Sequence, residues 1–310
     1  MGPSVVIGQA TSAGRRGVAT LCALAAALTL SGCAADTGSK SSKGAAIQTP
    51  VVVEKIDEIA ATLPGQYLES GTIVVGVSVP YPPNEFKDEN GELTGFDVDL
   101  MNAVATTLGL DVEYKESGFA KIIPSVASGA FDVGMSSITD TKEREKLVDF
   151  VTYFNAGTLW AQRPGSDIDP KNACGTRIAV KATTIHEKRE MPERNKACVE
   201  AGKKAIKIVD FIDYDQVVQA VIDGKVDAMT ADSPFTSYAI KQSDGKLEAA
   251  GPVSDIAPYG WPVKKESPLG QSLLQALQSL IKSGAYKQIA TKWGLAAGML
   301  EKPVINGAAS

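Results

Sequence analysis

The sequence predicts an α/β protein built as two similarly patterned halves. Three observations carry this. Short apolar runs alternate with stretches whose apolar residues recur at helical spacing, as strands interleaved with helices do. That alternation stops at a polar break over 165–172 and then restarts. Each half also holds a glycine, a short apolar strand and then polar residues, once over 129–144 and again over 224–234. In α/β sheets the carboxyl end of a strand is where ligands bind.

The chain has 310 residues, enough for two domains. Lys and Arg number 31 against 36 Asp and Glu, a net charge of -5, so no basic face for nucleic acid is expected. His186 is the single histidine, which leaves little room for histidine-based catalysis or zinc. No metal and no cofactor are expected.

Arg15 and Arg16 precede an apolar run over 18–30. The run is too short for an ordinary spanning helix and suits a secretory signal. It ends in Leu30-Ser31-Gly32-Cys33, which resembles the lipobox of bacterial lipoproteins, where the cysteine becomes the lipid-modified N-terminus. Residues 1–32 therefore read as a lipoprotein signal peptide, Cys33 as the lipidation site and 33–50, rich in Ser, Gly, Ala and Lys, as a flexible tether. The stretch before the apolar run is long for such a signal and allows a later start codon. Of four cysteines, Cys22 lies in the leader and Cys33 carries lipid, leaving Cys174 and Cys198. In an exported protein that pair is most simply a disulfide. A loop of that span stabilises by roughly 3 kcal/mol in the chain-entropy treatment.

Residues 51–63 form an amphipathic pattern with Val52, Ile56 and Ile59 on one face, stopped by Pro64 and Gly65. Ile73, Val75, Val77 and Val79 alternate as a strand. Tyr81-Pro82-Pro83-Asn84-Glu85-Phe86 follows as a rigid turn, and Asp88-Glu89-Asn90-Gly91 as a hairpin turn. A helix opens at Gly95-Phe96-Asp97-Val98-Asp99-Leu100, with two acids in its first turn, where the dipole favours them. Leu100, Val104 and Leu108 are its buried stripe and Gly109 its end. A strand over 112–114, a short helix over 122–127 and a strand over 131–135 complete this part. Thr158-Leu159-Trp160-Ala161 reads as a strand leading out of it. After the polar break come a strand over 177–180, a helical region over 187–198, a strand over 206–211, a helix over 213–223 and a strand over 226–230 that ends at Ala231-Asp232-Ser233-Pro234. Pro258 to Val263 crosses back. Leu269, Leu273, Leu277 and Leu280 mark a helix closed by Gly284, and Tyr286, Ile289 and Trp293 another closed by Gly294.

One stretch concentrates the chemistry: Met135-Ser136-Ser137-Ile138-Thr139-Asp140-Thr141-Lys142-Glu143-Arg144. Ser136, Ser137 and Thr139 offer hydroxyls and backbone N–H groups. Arg144 offers a planar fork that matches a carboxylate in two parallel bonds. Together they read as a site for a small carboxylate ligand. The plainer alternative is a strand end, an N-cap and a surface arginine.

These motifs in this order resemble family 3 extracellular solute-binding proteins, the polar-amino-acid receptors of ABC importers, and their actinobacterial lipoprotein members in particular. The carriers are the 95–108 signature helix, 81–86, 136–144, 224–232, Tyr259-Gly260 and Lys292-Trp293-Gly294. The resemblance implies a two-lobed periplasmic-binding-protein-like fold of type II, with the ligand cleft between lobes joined by two crossing strands. It implies one lobe from 51–160 plus 258–310 and a second from 161–257. It implies that Arg144 grips an α-carboxylate, that Thr139 and Ser137 add hydrogen bonds with Ser136 beside them, that Asp232 pairs with an α-ammonium, and that Tyr81 and Phe119 wall the side-chain pocket. Thr183 and Thr184 stand where the family places Gly-Thr-Thr, but Lys181-Ala182-Thr183-Thr184-Ile185 lacks the glycine, which leaves their register open by one position. Basic-amino-acid binders often carry aspartate three residues before the aromatic that matches Tyr81; here Ser78 stands there, which disfavours a cationic ligand side chain.

The function so implied is capture of a polar amino acid for a membrane permease with a cytoplasmic ATPase. The protein would be a monomer, lipid-anchored on the outer face of the bacterial cytoplasmic membrane, and not an enzyme. A sensor presenting ligand state to a membrane kinase and a dehydratase-like enzyme on the same fold are the alternatives. Ser279–Lys282 and Ser243–Lys246 have Ser-x-x-Lys spacing but lack the companion motifs of the enzymes that use it.

Overall fold

The computed structural model describes residues 51–309. The expectations for the signal peptide, Cys33 and the tether lie outside the described residues. Two short helices come first, α1 (Asp57–Ala60) and α2 (Gly65–Ser70). The amphipathic pattern over 51–63, read as one short helix, is helical only over α1, and a second helix follows where a stop was expected. Pro64 caps the second instead of ending the first, since its fixed φ and missing N–H suit a helix start. Then follow β1 (Thr72–Val77), the hairpin β2 (Phe86–Lys87) and β3 (Leu93–Thr94), α3 (Phe96–Leu108), β4 (Asp111–Glu116), α4 (Phe119–Ser128) and β5 (Val133–Met135). A 3-10 turn, Arg144–Lys146, leads into β6 (Val148–Gln162).

The second half runs β7 (Arg177–Lys181), a π-helical turn His186–Glu190, α5 (Met191–Glu200), β8 (Lys207–Phe211), α6 (Tyr214–Ile222), β9 (Ala228–Asp232) and α7 (Ser233–Gln242). Helix α7 had no counterpart in the sequence reading, which took Ser233-Pro234 for the end of a strand. Pro234 instead occupies the first turn of a helix, where its missing N–H costs nothing. The chain returns through β10 (Glu248–Lys264) and closes with α8 (Pro268–Ser283) and α9 (Ala285–Lys292).

Eight strands form one sheet in the order β4-β1-β5-β10-β6-β9-β7-β8. Strand β1 runs parallel to β4 and β5, and β7 runs parallel to β8 and β9. Between these parallel trios lie β6 and β10, antiparallel to each other and to the flanking strands. They are 15 and 17 residues long, against about 5–6 for an ordinary strand, because each serves both halves. Their mutual ladder slips register between Ala250 and Ser254 and again before Ala257. This is the two-lobed α/β arrangement with two crossing strands.

The core of the first half comes from two separate stretches of chain. Ile73, Val75, Leu100 and Val104 pack with Trp261, Leu273, Leu277 and Tyr286, all buried. The second half has its own apolar clusters, around Val217, Val221 and Met229 and around Ile178, Val180 and Met191. Tyr81 is the exception: it leaves the first half and packs among Tyr214 and Phe235 of the second, with ring centroids 5.0 and 5.1 Å away. The Cys174–Cys198 disulfide ties the loop before β7 to α5.

Gly95 sets the start of α3. Its φ of +134° suits only glycine, and a Cβ there would lie 2.1 Å from the carbonyl oxygen of Asn84. With this tight entry Asp97, read from sequence as a first-turn acid that the helix dipole favours, is fully buried. Among the described residues no helix is long and apolar enough to cross a membrane.

Candidate ligand-binding site

A small cavity lies where the carboxyl ends of strands from both halves meet. The first half contributes Tyr81, Glu85, Phe119, Ser136, Ser137, Thr139 and Arg144. The second contributes Lys181, Thr184, Ile185, His186, Tyr214 and Asp232. Its free volume is about 20 Å³, room for little more than one water-sized sphere. A larger hollow of about 590 Å³ opens nearby, between α5 and the 255–258 segment, but neither Arg144 nor Asp232 lines it.

The 136–144 stretch is held from three sides. Asp140 N–H donates to Pro258 O and Gly260 N–H to Ile138 O, both at 2.9 Å. The Asp140 carboxylate accepts from the N–H groups of Gly307 and Ala308, at 2.7 and 3.1 Å. Arg144, at the start of the 3-10 turn, donates from Nη1 to Thr139 O at 2.7 Å. Its guanidinium carbon lies 6.0 Å from the Phe119 ring centre. Burial lowers its pKa and Asp232 opposes that, but a guanidinium stays charged in proteins. Among the described residues no carboxylate comes within ion-pair distance of it.

Asp232 ends β9 and faces Arg144 from the other half. Its Oδ2 accepts from the Tyr81 hydroxyl at 2.9 Å, and its Oδ1 lies 3.1 Å from His186 Nε2. His186 Nδ1 is 2.8 Å from Glu190 Oε2. Glu190 is itself anchored by donors from Trp160, Thr230 and Arg194 at 2.8–2.9 Å. Burial alone would lower the His186 pKa; hydrogen bonds and charge from Asp232 and Glu190 outweigh it and raise the pKa to about 10. His186 is therefore an imidazolium that donates from both nitrogens.

The hydroxyl residues are placed unequally. Ser136 Oγ accepts from Ser78 N–H at 2.9 Å and serves its backbone. Ser137, with φ of 49°, accepts from Asn84 Nδ2 at 2.7 Å and lies 3.2–3.3 Å from Asp97 and Glu85. Thr139 is buried and bridges to Tyr259. Thr184 lines the cavity and donates to Lys181 O at 2.7 Å. Thr183 does not line it: the residue is exposed, at φ 66°, and its N–H donates to Glu187. The missing glycine puts Thr183 itself in the left-handed position and turns it away from the cleft.

Glu85, Lys181, Ile185, His186 and Tyr214 line the cavity but carry no role in the sequence reading. Glu85 is fully buried, and burial together with the neighbouring Asp97 charge pushes its pKa well above the carboxylate range. Asp97 is raised to about 6 by burial, opposed by donors from Tyr153 at 2.5 Å and Ser137 N–H at 3.0 Å. Lys181 ends β7 with its Nζ 4.9 Å from the Tyr214 ring centre and 5.5 Å from that of Phe119. His186 was set aside as a lone histidine. Lys181 and His186 both sit at or just past the carboxyl end of a parallel strand, and that position is the signal that could have found them.

The family described as bacterial extracellular solute-binding proteins, family 3, matches residues 73–296. The arginine-binding protein ArgT of Corynebacterium glutamicum is 35% identical over 290 residues, 93% of this chain and 94% of its own length. A solved ancestral arginine-binding protein bound to arginine superposes with a TM-score of 0.66 at 34% identity, covering 72% of this chain and 98% of that one. An ancestral arginine-binding protein bound to glutamine gives 0.65 at 35%, covering 73% and 98%.

Proposed function

This chain belongs to the bacterial extracellular solute-binding proteins of family 3, and from that premise we propose that it captures a polar amino acid between its lobes and delivers it to an ABC importer. The lobes are 51–160 with 258–310, and 161–257. Arg144 takes the α-carboxylate, helped by Thr139 and Ser137 beside Ser136. Asp232 takes the α-ammonium from the opposite lobe. Tyr81 and Phe119 wall the side chain. Thr184, rather than Thr183, completes the cleft from the second lobe. A zwitterion needs one fixed cation and one fixed anion, and it draws the lobes together by touching both.

The observation that carries this reading is Arg144. It is a largely buried cation without a carboxylate partner among the described residues, in one cavity with Asp232 from the other half. A buried charge left this way is costly unless something else pairs with it. The reading is a receptor and not an enzyme. His186, the only imidazole, is engaged at both nitrogens and is not free to carry a proton to a substrate. The rest of the assembly follows the family pattern. Residues 1–32 direct export, Cys33 carries the lipid anchor, and 33–50 tether a monomer outside the cytoplasmic membrane, beside a permease with a cytoplasmic ATPase.

Calorimetric titration of the mature domain with the twenty amino acids tests the reading, beside the Arg144→Lys variant. At least one amino acid should bind. Lysine cannot reproduce the bidentate fork, so the variant should lose about 2–4 kcal/mol, roughly thirtyfold to a thousandfold in affinity. The ligand-free melting temperature should hardly move. Equal affinities would remove Arg144 from the site; a large fall in melting temperature would make it a structural residue.

A further inference from the structure

We propose that Lys181 determines the specificity of this cleft and selects an amino acid with an anionic side chain, of the glutamate and aspartate class. The inference rests on the reading of the cavity as an amino-acid site and names which amino acids it takes.

Lys181 reaches the cavity from the carboxyl end of β7, beside Thr184. Its amine lies over two aromatic faces, Phe119 from the first lobe and Tyr214 from the second, at 5.5 and 4.9 Å from the ring centres. Both distances fall within the range of cation–π attraction. Among the described residues it is part of no ion pair. The rings that would receive a ligand's cationic side chain already hold a cation of the protein's own. Arginine or lysine would place like charges together at this point, where among the described residues no carboxylate pairs with the Lys181 amine.

The charges of the cavity point the same way. Glu85 borders it fully buried, and its raised pKa keeps it neutral and able to donate a hydrogen bond. His186 is already matched by Glu190 on its far side. Arg144 and Lys181 are then the lining cations without an ion-pair partner among the described residues, and Asp213, which acts on Lys181 through its charge, lies outside the lining. A neutral zwitterion gives Arg144 and Asp232 direct partners but leaves Lys181 without one. An acidic amino acid supplies it, with the α-carboxylate on Arg144 and the side-chain carboxylate on Lys181. Phe119 lies between, since both cations approach its ring. The 20 Å³ of free space means that entry requires the lobes to part and the amine to swing off the rings onto the ligand.

The test is calorimetry of the mature domain with L-glutamate, L-aspartate, L-glutamine and L-arginine, repeated on Lys181→Met with a melting curve of each protein. L-glutamate or L-aspartate should bind wild type most tightly. Lys181→Met should weaken that binding about tenfold to a hundredfold, as loss of a charged hydrogen bond does, while L-glutamine binding falls much less. Arginine binding most tightly would overturn the inference and leave the amino-acid receptor intact. L-glutamine binding as tightly as the acidic ligands, or equal losses for both in the variant, would overturn it likewise. Failure of all four to bind would overturn this inference, and failure of all twenty would overturn the receptor reading with it.

Discussion

At the scale of single residues, His186 shows how burial and charge compete. Its imidazolium sits between the carboxylates of Asp232 and Glu190, and both bonds hold Asp232 in place for a ligand. A histidine whose pKa rises on folding, here from 6.5 to about 10, adds stability that is full below the lower value and lost as pH climbs through the upper one. Thermal melts between pH 6 and 10 should show the midpoint falling over that window, and His186→Gln should lower stability and remove most of the slope. A slope unchanged in the variant would show that other groups set it. Arg144 and Asp232 were legible in the sequence because short motifs surround them. Lys181 and His186 were not, since their roles depend on Phe119, Tyr214 and Asp232, which lie far away in sequence.

At the scale of elements, period and punctuation gave most of the helices and strands. The apolar stripe of α3, the leucines of α8 and the alternation of β1 all read directly. What failed did so where a proline looked like an ending. Pro64 and Pro234 both begin helices, and a proline at a first turn and a proline in a turn look alike when no structure is present. Asp97 does sit in the first turn of its helix, but its burial was not legible in the sequence. Its burial follows from the backbone at Gly95, which threads α3 against the Asn84 carbonyl. Gly95→Ala should therefore cost about 2–3 kcal/mol or more, from a forbidden φ and a direct clash. A melting temperature equal to wild type would mean that the entry to α3 relaxes freely.

At the scale of the whole molecule, β6 and β10 are, among the described residues, the only strands that lie between the two parallel trios. Their ladder shifts register on both sides of Ser254, so the pairing there is irregular. Small-angle scattering should show compaction when the cognate amino acid is added, with Tyr81 exchanging its bond to Asp232 for contact with the ligand. Identical curves at saturation would count against a hinge. The sequence revealed both crossings but not their length, because the outer part of β10 is mixed and exposed, without strand-like alternation. The divided core of the first half bears on the order in which the protein can be made. A chain leaving the ribosome or threading through a membrane emerges N-terminus first. The segment from β7 to α7 has all of its trio in hand early. The first half must wait for α8, α9 and even Gly307 and Ala308, whose N–H groups fasten Asp140. Until the last residues are out, the stretch that carries Arg144 is unfastened, so the binding site is among the final parts of the molecule to set.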